Sequence, residues 1–303
     1  MKKILLIGNQ GSFLGEINKM LMKKFNVVVF PESAISIENE NENILFHIYS
    51  SELCKLIEVQ SNLEAIVFLG GEVRNKDLMM RENFHKPLLV ANIALENKLQ
   101  FLYLSSLSVY DGLDKTMAKV ITNETKEAAS SEYGRSKLEF DNKVASLRAK
   151  GLKSFTLRPA SIAGSKRMNS SVERVANLAK RFPLLRYFRF DGIISYVSRS
   201  ELSAFITDCL QDKLQSGVYL VANNIRVSCV IWAAVGKPLF FIPVDNFLRF
   251  LNWSFLPLRS SALKNLTNRL SYKSDHSVKS LKYKETILAD VLSKVDKGFG
   301  VDE

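Results

Sequence analysis

The stretch ILLIGNQGSFLG, residues 4–15, decides the fold, because a short apolar run is followed at once by spaced glycines. Gly8, Gly11 and Gly15 separate this run from a segment with helical spacing, Glu16–Lys24. An apolar run of four residues is too short for the centre of a signal peptide, so we interpret it as a buried first strand. The order of strand, glycine loop and helix predicts the first unit of an α/β sheet.

The same alternation of short apolar runs and helical segments continues through the first half of the chain. It becomes looser after Pro159, which indicates a second, smaller lobe. We therefore predict an α/β, Rossmann-type doubly wound parallel sheet over residues 1–165 and a C-terminal α/β substrate lobe over residues 166–303. The boundary is soft, and the chain can cross between the lobes. Predicted strands are Val27–Phe30, Ile44–Ile48, Ala65–Leu69, Phe101–Leu104, Ser154–Leu157, Tyr196–Val197, Val218–Val221 and Pro238–Ile242; predicted helices are Arg81–Asn97, Glu132–Lys150, Ser171–Arg181, Leu202–Leu210 and Ser277–Val295.

Composition excludes several classes of protein. Hydrophobic residues make up 47% and charged residues 24% of the 303 residues, an ordinary globular mixture, so overall disorder is not expected. Cys54, Cys209 and Cys229 are far apart and form no CxxC, and the histidines show no metal spacing. We therefore predict no disulfide framework, no metal site and a cytoplasmic setting.

The net charge is 42 − 31 = +11, which favours an anionic ligand of some kind. Lysines and arginines are scattered, and no nucleic-acid motif is present, so we do not expect nucleic acid as a partner.

Two stretches raise the question of a membrane. Val227–Val244 is interrupted by Lys237 and two prolines, so we interpret it as a core helix followed by a strand. Asn246–Lys264 combines aromatic residues, leucines and basic residues, which is compatible with peripheral contact with a membrane surface. Its apolar positions are equally compatible with the core of the lobe, and we favour that interpretation.

The glycine loop predicts a dinucleotide site, because backbone N–H groups and a helix N-terminus there suit a pyrophosphate. Its spacing is unusual, with Leu14 where a three-residue step would put glycine. Either the loop has one extra residue or the packing of the helix is altered. The second strand ends in VVVFPES, so Pro31 takes the position of the usual ribose-binding acid and Glu32 follows one residue late. Either Glu32 binds the ribose or another group does. The sequence therefore does not choose between NAD and NADP as the cofactor.

The strongest chemical pattern is YGRSK, residues 133–137. Tyr133 and Lys137 are four apart and share one helix face, where an ammonium favours the phenolate and lowers the pKa of tyrosine. That would make Tyr133 an acid or base near neutral pH. Ser105 and Ser106 end the buried strand FLYL, at the edge where open α/β sheets bind ligands, and a hydroxyl there can hydrogen-bond a substrate oxygen.

Together these segments resemble the extended short-chain dehydrogenase/reductases, in the NAD-dependent nucleotide-sugar epimerase/dehydratase family. SSLSVYD is similar to that family's SSxxVYG, with Asp111 in place of glycine, which implies Ser106 as the catalytic hydroxyl. YGRSK implies Tyr133 as acid/base and Lys137 as its partner. RENFHKPLLVANIALE implies Asn83 at the start of the helix before the active-site strand, and LRPASIAG implies a cleft lined by Arg158-Pro159.

The motifs and the resemblance together give the expected ligands. The expected partners are a nucleotide-diphosphate sugar and a second copy of the chain in a homodimer. Expected catalytic residues are Ser106, Tyr133 and Lys137; expected contacts of NAD or NADP are Gly8, Gly11, Ser12, Phe13, Leu14, Gly15, Glu32, Leu69, Gly70, Gly71, Asn83, Ser105, Tyr133, Lys137, Arg158 and Pro159; expected substrate contacts are Ser106, Ser108, Arg167, Arg174 and Arg199.

The resemblance implies an NAD(P)-dependent nucleotide-sugar 4-epimerase or 4-keto reductase that transfers hydride at sugar C4. RFPLLRYFRFDGIISYV is most similar to such enzymes of surface-polysaccharide pathways. The altered glycine spacing and the displaced acid leave an alternative, a non-catalytic dinucleotide-binding sensor or scaffold of the same fold.

Overall fold

The computed structural model describes residues 1–9, 11–35, 51–60, 62–115, 119–163, 170–243 and 268–274. Its strands are β1 Lys3–Gly8, β2 Asn26–Pro31, β3 Leu63–Phe68, β4 Gln100–Leu104, β5 Lys119–Ile121, β6 Ser154–Pro159, β7 Ser161–Ala163, β8 Phe188–Arg189, β9 Ile193–Ser198, β10 Gly217–Val221, β11 Asn223–Arg226, β12 Ile242–Pro243 and β13 Leu270–Tyr272. Its helices are α1 Ser12–Leu21, α2 Ser51–Val59, α3 Lys76–Met80, α4 Lys86–Glu96, α5 Glu132–Ala149, α6 Ser171–Arg181, α7 Arg199–Leu210 and α8 Val227–Val235. A π-turn, Arg81–His85, joins α3 to α4, and short 3-10 turns lie at Glu32–Ala34, Leu107–Tyr110 and Pro183–Tyr187.

A six-stranded parallel sheet in the order β10-β6-β4-β3-β1-β2 forms the centre of the fold, as predicted. Its inner strands are mainly apolar, and every residue of β4 is buried, as expected for a parallel sheet covered on both faces. The chain runs from β1 outward to β2 and then crosses back to β3 on the other side of β1. The carboxyl ends of β1 and β3 therefore form the topological switch point, where open α/β sheets bind ligands.

Helices α4 and α5 cover one side of the sheet in the main core. The rings of Tyr103 in β4 and Phe140 in α5 meet edge to face, with centroids 4.4 Å apart. Val144 and Leu147 continue the same face of α5 into the core. This packing fixes the helix that carries Tyr133 against the strand that leads to Ser106.

The chain forms two compact units with interleaved segments. The first contains residues 1–113, 126–159 and 200–219, and the second contains residues 114–125, 160–199 and 220–303. Within the second unit, β11-β9-β7 form a small sheet, and α6, α8, Phe190 and Tyr196 share a core. A division at residue 165 stays a prediction.

Several element boundaries differ from those predicted. Helix α1 begins at Ser12 rather than Glu16, and helix α2 was not predicted. Of the predicted strand Pro238–Ile242, only Ile242 lies in a strand, the two-residue β12, and residues 239–243 are exposed. The predicted strand Ile44–Ile48, the predicted helix Ser277–Val295 and the stretch Asn246–Lys264 lie outside the described residues.

Candidate active site

Ser106 ends the central strand segment and caps the turn that follows it. Its Oγ accepts a hydrogen bond from the backbone N–H of Ser108 at 3.1 Å and lies 3.1 Å from the Ser108 hydroxyl. The neighbouring Ser105 is buried, and its hydroxyl faces the carboxyl group of Asp141, which it helps to keep ionised. The two serines therefore differ: Ser106 faces Tyr133, whereas Ser105 faces the interior.

Helix α5 reaches this turn through a glycine. A Cβ atom at Gly134 would collide with the backbone carbonyl oxygen of Ser108, so only glycine permits this approach. Ser131 caps the helix by accepting the N–H of Gly134 at 2.9 Å. Asp111 in turn accepts hydrogen bonds from the backbone N–H of Ser130 at 2.6 Å and of Ser131 at 3.2 Å, and from both serine hydroxyls. The residue that replaces the family's usual glycine thus ties the serine turn to the start of the tyrosine helix.

Tyr133 lies beside Ser106, and the serine hydroxyl interacts with its phenol by a hydrogen bond. Burial of the phenol raises the pKa of Tyr133 above its usual value, and the charge of Asp141 acts in the same direction; the hydrogen bond from Ser106 offsets only part of the effect. This differs from the expectation that Lys137 lowers the tyrosine pKa. Desolvation of the hydroxyl is the largest influence, and the Lys137 Nζ lies 5.9 Å from the centroid of the tyrosine ring.

Lys137 is almost completely buried beneath Tyr133. Its Nζ donates to the carbonyl oxygen of Leu104 at 3.2 Å and lies 4.7 Å from the centroid of the Tyr103 ring. Burial lowers the pKa of Lys137 to about 8, although the charges of Asp141 and Glu32 act against this. The ammonium is therefore held at the carboxyl end of β4 by the backbone and by an aromatic ring.

A buried ion pair that the sequence analysis missed lies below these residues. Asp141, four residues after Lys137, accepts from Nε of Arg158 at 2.8 Å. The other guanidinium nitrogens of Arg158 bind the Tyr110 hydroxyl at 2.6 Å and Glu127 at 2.8 Å. Arg158, expected as a cofactor contact, is thus held by protein groups, and Pro159 after it is buried at the end of β6. Asp141 follows Tyr133 and Lys137 at the same four-residue spacing on one helix face. That spacing is the signal in the sequence that could have identified Asp141 as part of the site.

Asn83 lies inside the π-turn rather than at a helix start, which corrects the expectation. Pro87 lacks the N–H that would bond to the carbonyl of Asn83 in an α-helix, and the Tyr103 hydroxyl approaches that oxygen at 3.5 Å instead. The side-chain amide of Asn83 bonds to the backbone N–H and carbonyl of Glu72 at 2.9 and 2.8 Å and to Ser136 at 3.0 Å. It fastens the loop after β3 to helix α5.

The glycine loop shows which of the two explanations of its spacing applies. Helix α1 begins directly after Gly11, and the Leu14 side chain packs over Gly8, with Cδ1 3.0 Å from where a Cβ would lie. The packing of the helix is therefore altered, and no extra residue enters the loop. Gly15 lies in the helix with open space around it, so the structure does not bring it into the loop. Ser12 and Phe13 form the first turn of α1, and Leu69 continues β3 beside Gly8.

Glu32 follows β2 at the carboxyl edge of the sheet and is fully buried. Its carboxyl group lies against Gly70, where a Cβ would collide with it. Burial, together with the charge of Glu82, raises the pKa of Glu32 to about 7, against the effects of Lys86, the Gly71 amide and Lys137. Among the described residues, neither carboxylate oxygen has a partner with hydrogen-bond geometry. The group is an acceptor that lacks donors.

Gly71 has a backbone φ of +142°, which strongly favours glycine. A Cβ there would lie 2.6 Å from Oδ1 of Asn83 and 2.9 Å from Nζ of Lys137. The loop Gly70-Gly71 therefore joins Glu32, Asn83 and Lys137 at the end of β3.

Two of the expected substrate arginines, Arg174 and Arg199, lie in the second unit. Arg174 lies in α6 and donates to the Ser171 hydroxyl at 3.2 Å, and Arg199 begins α7 and is buried. Arg167 lies outside the described residues. Ser108 is the expected substrate residue that lies directly beside Ser106.

The six-stranded parallel sheet with its ligand edge at the switch point defines a Rossmann-like α/β protein. Residues 31–183 match the profile of the NAD dependent epimerase/dehydratase family, and the chain belongs to that family. No curated protein matches the sequence.

Solved structures of similar fold cover most of the chain at low sequence identity. The Helicobacter pylori ADP-L-glycero-D-manno-heptose-6-epimerase has 18% identity and a TM-score of 0.64, over 97% of this chain and 96% of that one. The dTDP-4-dehydrorhamnose reductase of Bacillus anthracis in complex with NADP has 17% identity and a TM-score of 0.59, over 81% and 85%. A Bordetella bronchiseptica enzyme in complex with NAD and UDP has 16% identity and a TM-score of 0.57, over 79% and 80%. These similarities show the fold.

The family and its neighbours bind NAD or NADP, and two features of this chain fit such a dinucleotide. The N-cap position of α1 is Gly11, which has no side chain to cap the helix, and a helix N-terminus of this kind suits an anion. Glu32 offers a buried, unpartnered carboxylate at the same edge, suited to ribose hydroxyls. Among the described residues, no helix is long and apolar enough to span a membrane.

Proposed function

We propose that the chain is an NAD(P)-dependent enzyme acting at C4 of a nucleotide-diphosphate sugar, either a 4-epimerase or a 4-keto reductase. The observation that carries the proposal is the convergence of Ser106, Tyr133 and Lys137 at the carboxyl end of β4, at one edge of the sheet with Glu32. A scaffold of this fold would not need a phenol hydrogen-bonded to a serine above a buried ammonium.

In this proposal the N-terminus of α1 binds the pyrophosphate, and Glu32 accepts hydrogen bonds from a ribose. The dinucleotide supplies the hydride acceptor or donor for sugar C4. Lys137 lies where its ammonium can hold the second ribose, while its backbone and aromatic contacts fix its position. Arg158 and Asn83 act as positioning residues, because protein groups already occupy their donors.

The proton is moved by Tyr133. Its raised pKa keeps the phenol protonated at neutral pH, which is the state that donates a proton to the oxygen of a 4-keto sugar. Ser106 hydrogen-bonds the same sugar oxygen and orients it toward the phenol. In the reverse direction the phenol must first lose its proton to solvent, which its raised pKa opposes, and the phenolate then removes the proton of the 4-hydroxyl. A reductase uses the first step alone, whereas an epimerase uses both.

Glu32 favours NAD over NADP. A 2′-phosphate would bring negative charge toward a buried carboxylate, whereas two ribose hydroxyls would supply its missing donors. Titration of the protein with each dinucleotide should give tighter binding of NAD, and Glu32→Gln should reduce the difference. Equal affinities in the wild-type protein would contradict this assignment.

The activity is tested with a panel of UDP-, GDP- and dTDP-linked 4-hydroxy and 4-keto sugars. An epimerase interconverts the C4 epimers while the redox state of its bound dinucleotide stays constant through turnover. A reductase consumes one reduced dinucleotide for each sugar. Binding of a dinucleotide without turnover of any sugar would favour a sensor or scaffold instead. A homodimer stays a prediction that the sedimentation velocity of the same preparation tests.

A further inference from the structure

The second unit carries an exposed apolar surface, which we call the aromatic face. Leu184 is 72% and Phe240 is 67% exposed, and Leu239 is fully exposed. Contiguous apolar patches are rare on monomeric proteins unless they bind something. The face consists of Phe182, Leu184, Tyr187, Trp232, Leu239, Phe240, Phe241 and Ile242.

Ring–ring contacts and a strand pair connect the residues of the aromatic face to one another. The rings of Tyr187 and Phe240 lie 5.5 Å apart, and those of Trp232 and Phe241 lie 5.9 Å apart. Strands β8 and β12 pair in parallel, and Ile242 of the face lies in β12. The indole N–H of Trp232 donates to the carbonyl of Arg186 at 3.0 Å, which fixes helix α8 to the 3-10 turn. The segment after α8 is therefore fastened to the turn that carries Leu184 and Tyr187.

Cationic side chains lie against the rings of the aromatic face. Arg189 lies 5.5 Å from the ring of Phe241, and Lys237 lies 5.8 Å from that of Trp232. The two contributing stretches, Lys180–Phe190 and Val227–Pro243, contain no aspartate or glutamate. Asp191, directly after the first stretch, pairs with Arg189 at 3.3 Å, so the rim is mainly rather than purely basic. An apolar centre with a mainly basic rim is complementary to a surface that is apolar below and anionic above.

We propose that the aromatic face docks the protein onto a lipid bilayer that contains anionic headgroups. Leu239–Ile242 present four consecutive exposed apolar side chains, which suit insertion among acyl chains better than contact with the polar rim of an acidic protein. The basic groups around them then meet the lipid phosphates. This inference rests on described residues of the second unit and does not depend on the sugar chemistry.

Co-sedimentation with vesicles tests the proposal. The full-length protein should bind vesicles containing about 30% phosphatidylglycerol and bind pure phosphatidylcholine vesicles at least about tenfold more weakly. Binding should fall when sodium chloride is raised from about 0.05 M to about 0.5 M, because salt screens the headgroup charge. The absence of binding to the anionic vesicles at low salt would overturn the proposal.

Two variants distinguish binding through the aromatic face from binding through the net charge of the chain. Phe240→Glu should lower the partition coefficient at least about tenfold, and Lys237→Glu should lower it at least about fivefold. Val59→Glu and Lys143→Glu, at exposed positions of the first unit, are matched controls that should bind as the wild type does. Thermal unfolding of all four verifies the fold.

Two outcomes would contradict docking by this face. Equal binding of Phe240→Glu and Val59→Glu would mean that the vesicles sense only net charge. A concentration-dependent dimer that Phe240→Glu dissociates, in a protein that ignores vesicles, would assign the face to a second copy of the chain.

Discussion

The carbonyl oxygen of Ser108 occupies the space that a Cβ atom would need at Gly134. Helix α5 therefore approaches the serine turn as closely as the backbone allows, and this distance sets the relation between Tyr133 and Ser106. The glycine of YGRSK is a packing requirement of the candidate site, independent of any bound ligand.

Gly134→Ala tests that requirement. The added methyl group must push α5 away from the turn, and we expect the free energy of unfolding to fall by about 1–3 kcal/mol with a large loss of turnover. Gly15→Ala is the matched control, because Gly15 lies in α1 with open space around it. It should bind dinucleotide normally and gain up to about 1 kcal/mol from the better helix former. Denaturant unfolding and dinucleotide titration of both variants give the comparison; weakened dinucleotide binding in Gly15→Ala would contradict the altered-packing interpretation of the loop.

Asp111 should act as a positioning residue for Tyr133. Burial acts to raise the pKa of its carboxyl, but hydrogen bonds from Ser130 and Ser131 outweigh this and hold the pKa below the usual value. Asp111→Ala removes these acceptors, so we expect kcat to fall about tenfold with little change in KM. Asp111→Asn keeps one acceptor for the backbone amides and should recover most of the rate. If Asp111→Ala and Asp111→Asn lost the same amount of kcat and the same amount of thermal stability, Asp111 would contribute to folding alone.

Glu32 should make stability depend on pH in a defined window. Its pKa is raised from 4.5 to about 7 in the folded protein, so its contribution is fully present below pH 4.5 and is lost as pH rises through about 7. The wild type should lose about 3 kcal/mol relative to Glu32→Gln across this window. Urea unfolding of both proteins at several pH values measures the difference. A constant difference from pH 4.5 to 8 would show that the carboxyl group is ionised throughout.

The same titration should affect the cofactor. An ionised Glu32 accepts hydrogen bonds from hydroxyl groups, so NAD affinity of the wild type should rise as pH passes about 7. The affinity of Glu32→Gln should stay flat over that range.

Asp141 should sustain the charge of Lys137. Its carboxylate raises the pKa of Lys137, which burial has lowered to about 8. Asp141→Asn should shift the alkaline limb of the rate profile to lower pH, and it should cost about 3 kcal/mol of stability because Arg158 loses a buried partner. The measurement is the pH–rate profile of Asp141→Asn. The control is Asp208→Asn, which disrupts the surface pair with Lys213 and should leave the alkaline limb in place. An unmoved alkaline limb in Asp141→Asn would exclude this coupling.

The sequence predicted those parts of the fold that local patterns encode. The apolar runs of β1, β3, β4 and β6 identified the parallel sheet, and YGRSK identified the helix that carries Tyr133 and Lys137. Helix α2 was missed. The start of α1 was placed too late, because the glycines there were interpreted as a longer loop, although Gly15 lies in the helix.

The electrostatics of the candidate site could not be predicted from the sequence, because desolvation depends on tertiary packing. The spacing of Tyr133 and Lys137 predicted a lowered tyrosine pKa, but enclosure of the phenol raises it. The fully buried carboxylate of Glu32 against Gly70 joins residues that are far apart in the chain. Neither effect has a local signal.

The central claim is that the Tyr133 phenol transfers the proton at sugar C4. The most direct test is the turnover rate of Tyr133→Phe on whichever nucleotide sugar the panel identifies, beside Tyr219→Phe, which removes a hydroxyl bonded to the Gln215 carbonyl. We expect Tyr133→Phe to lose at least about a thousandfold in kcat while it still binds dinucleotide, and Tyr219→Phe to retain the wild-type rate. A Tyr133→Phe enzyme that turns over at the wild-type rate would contradict the account.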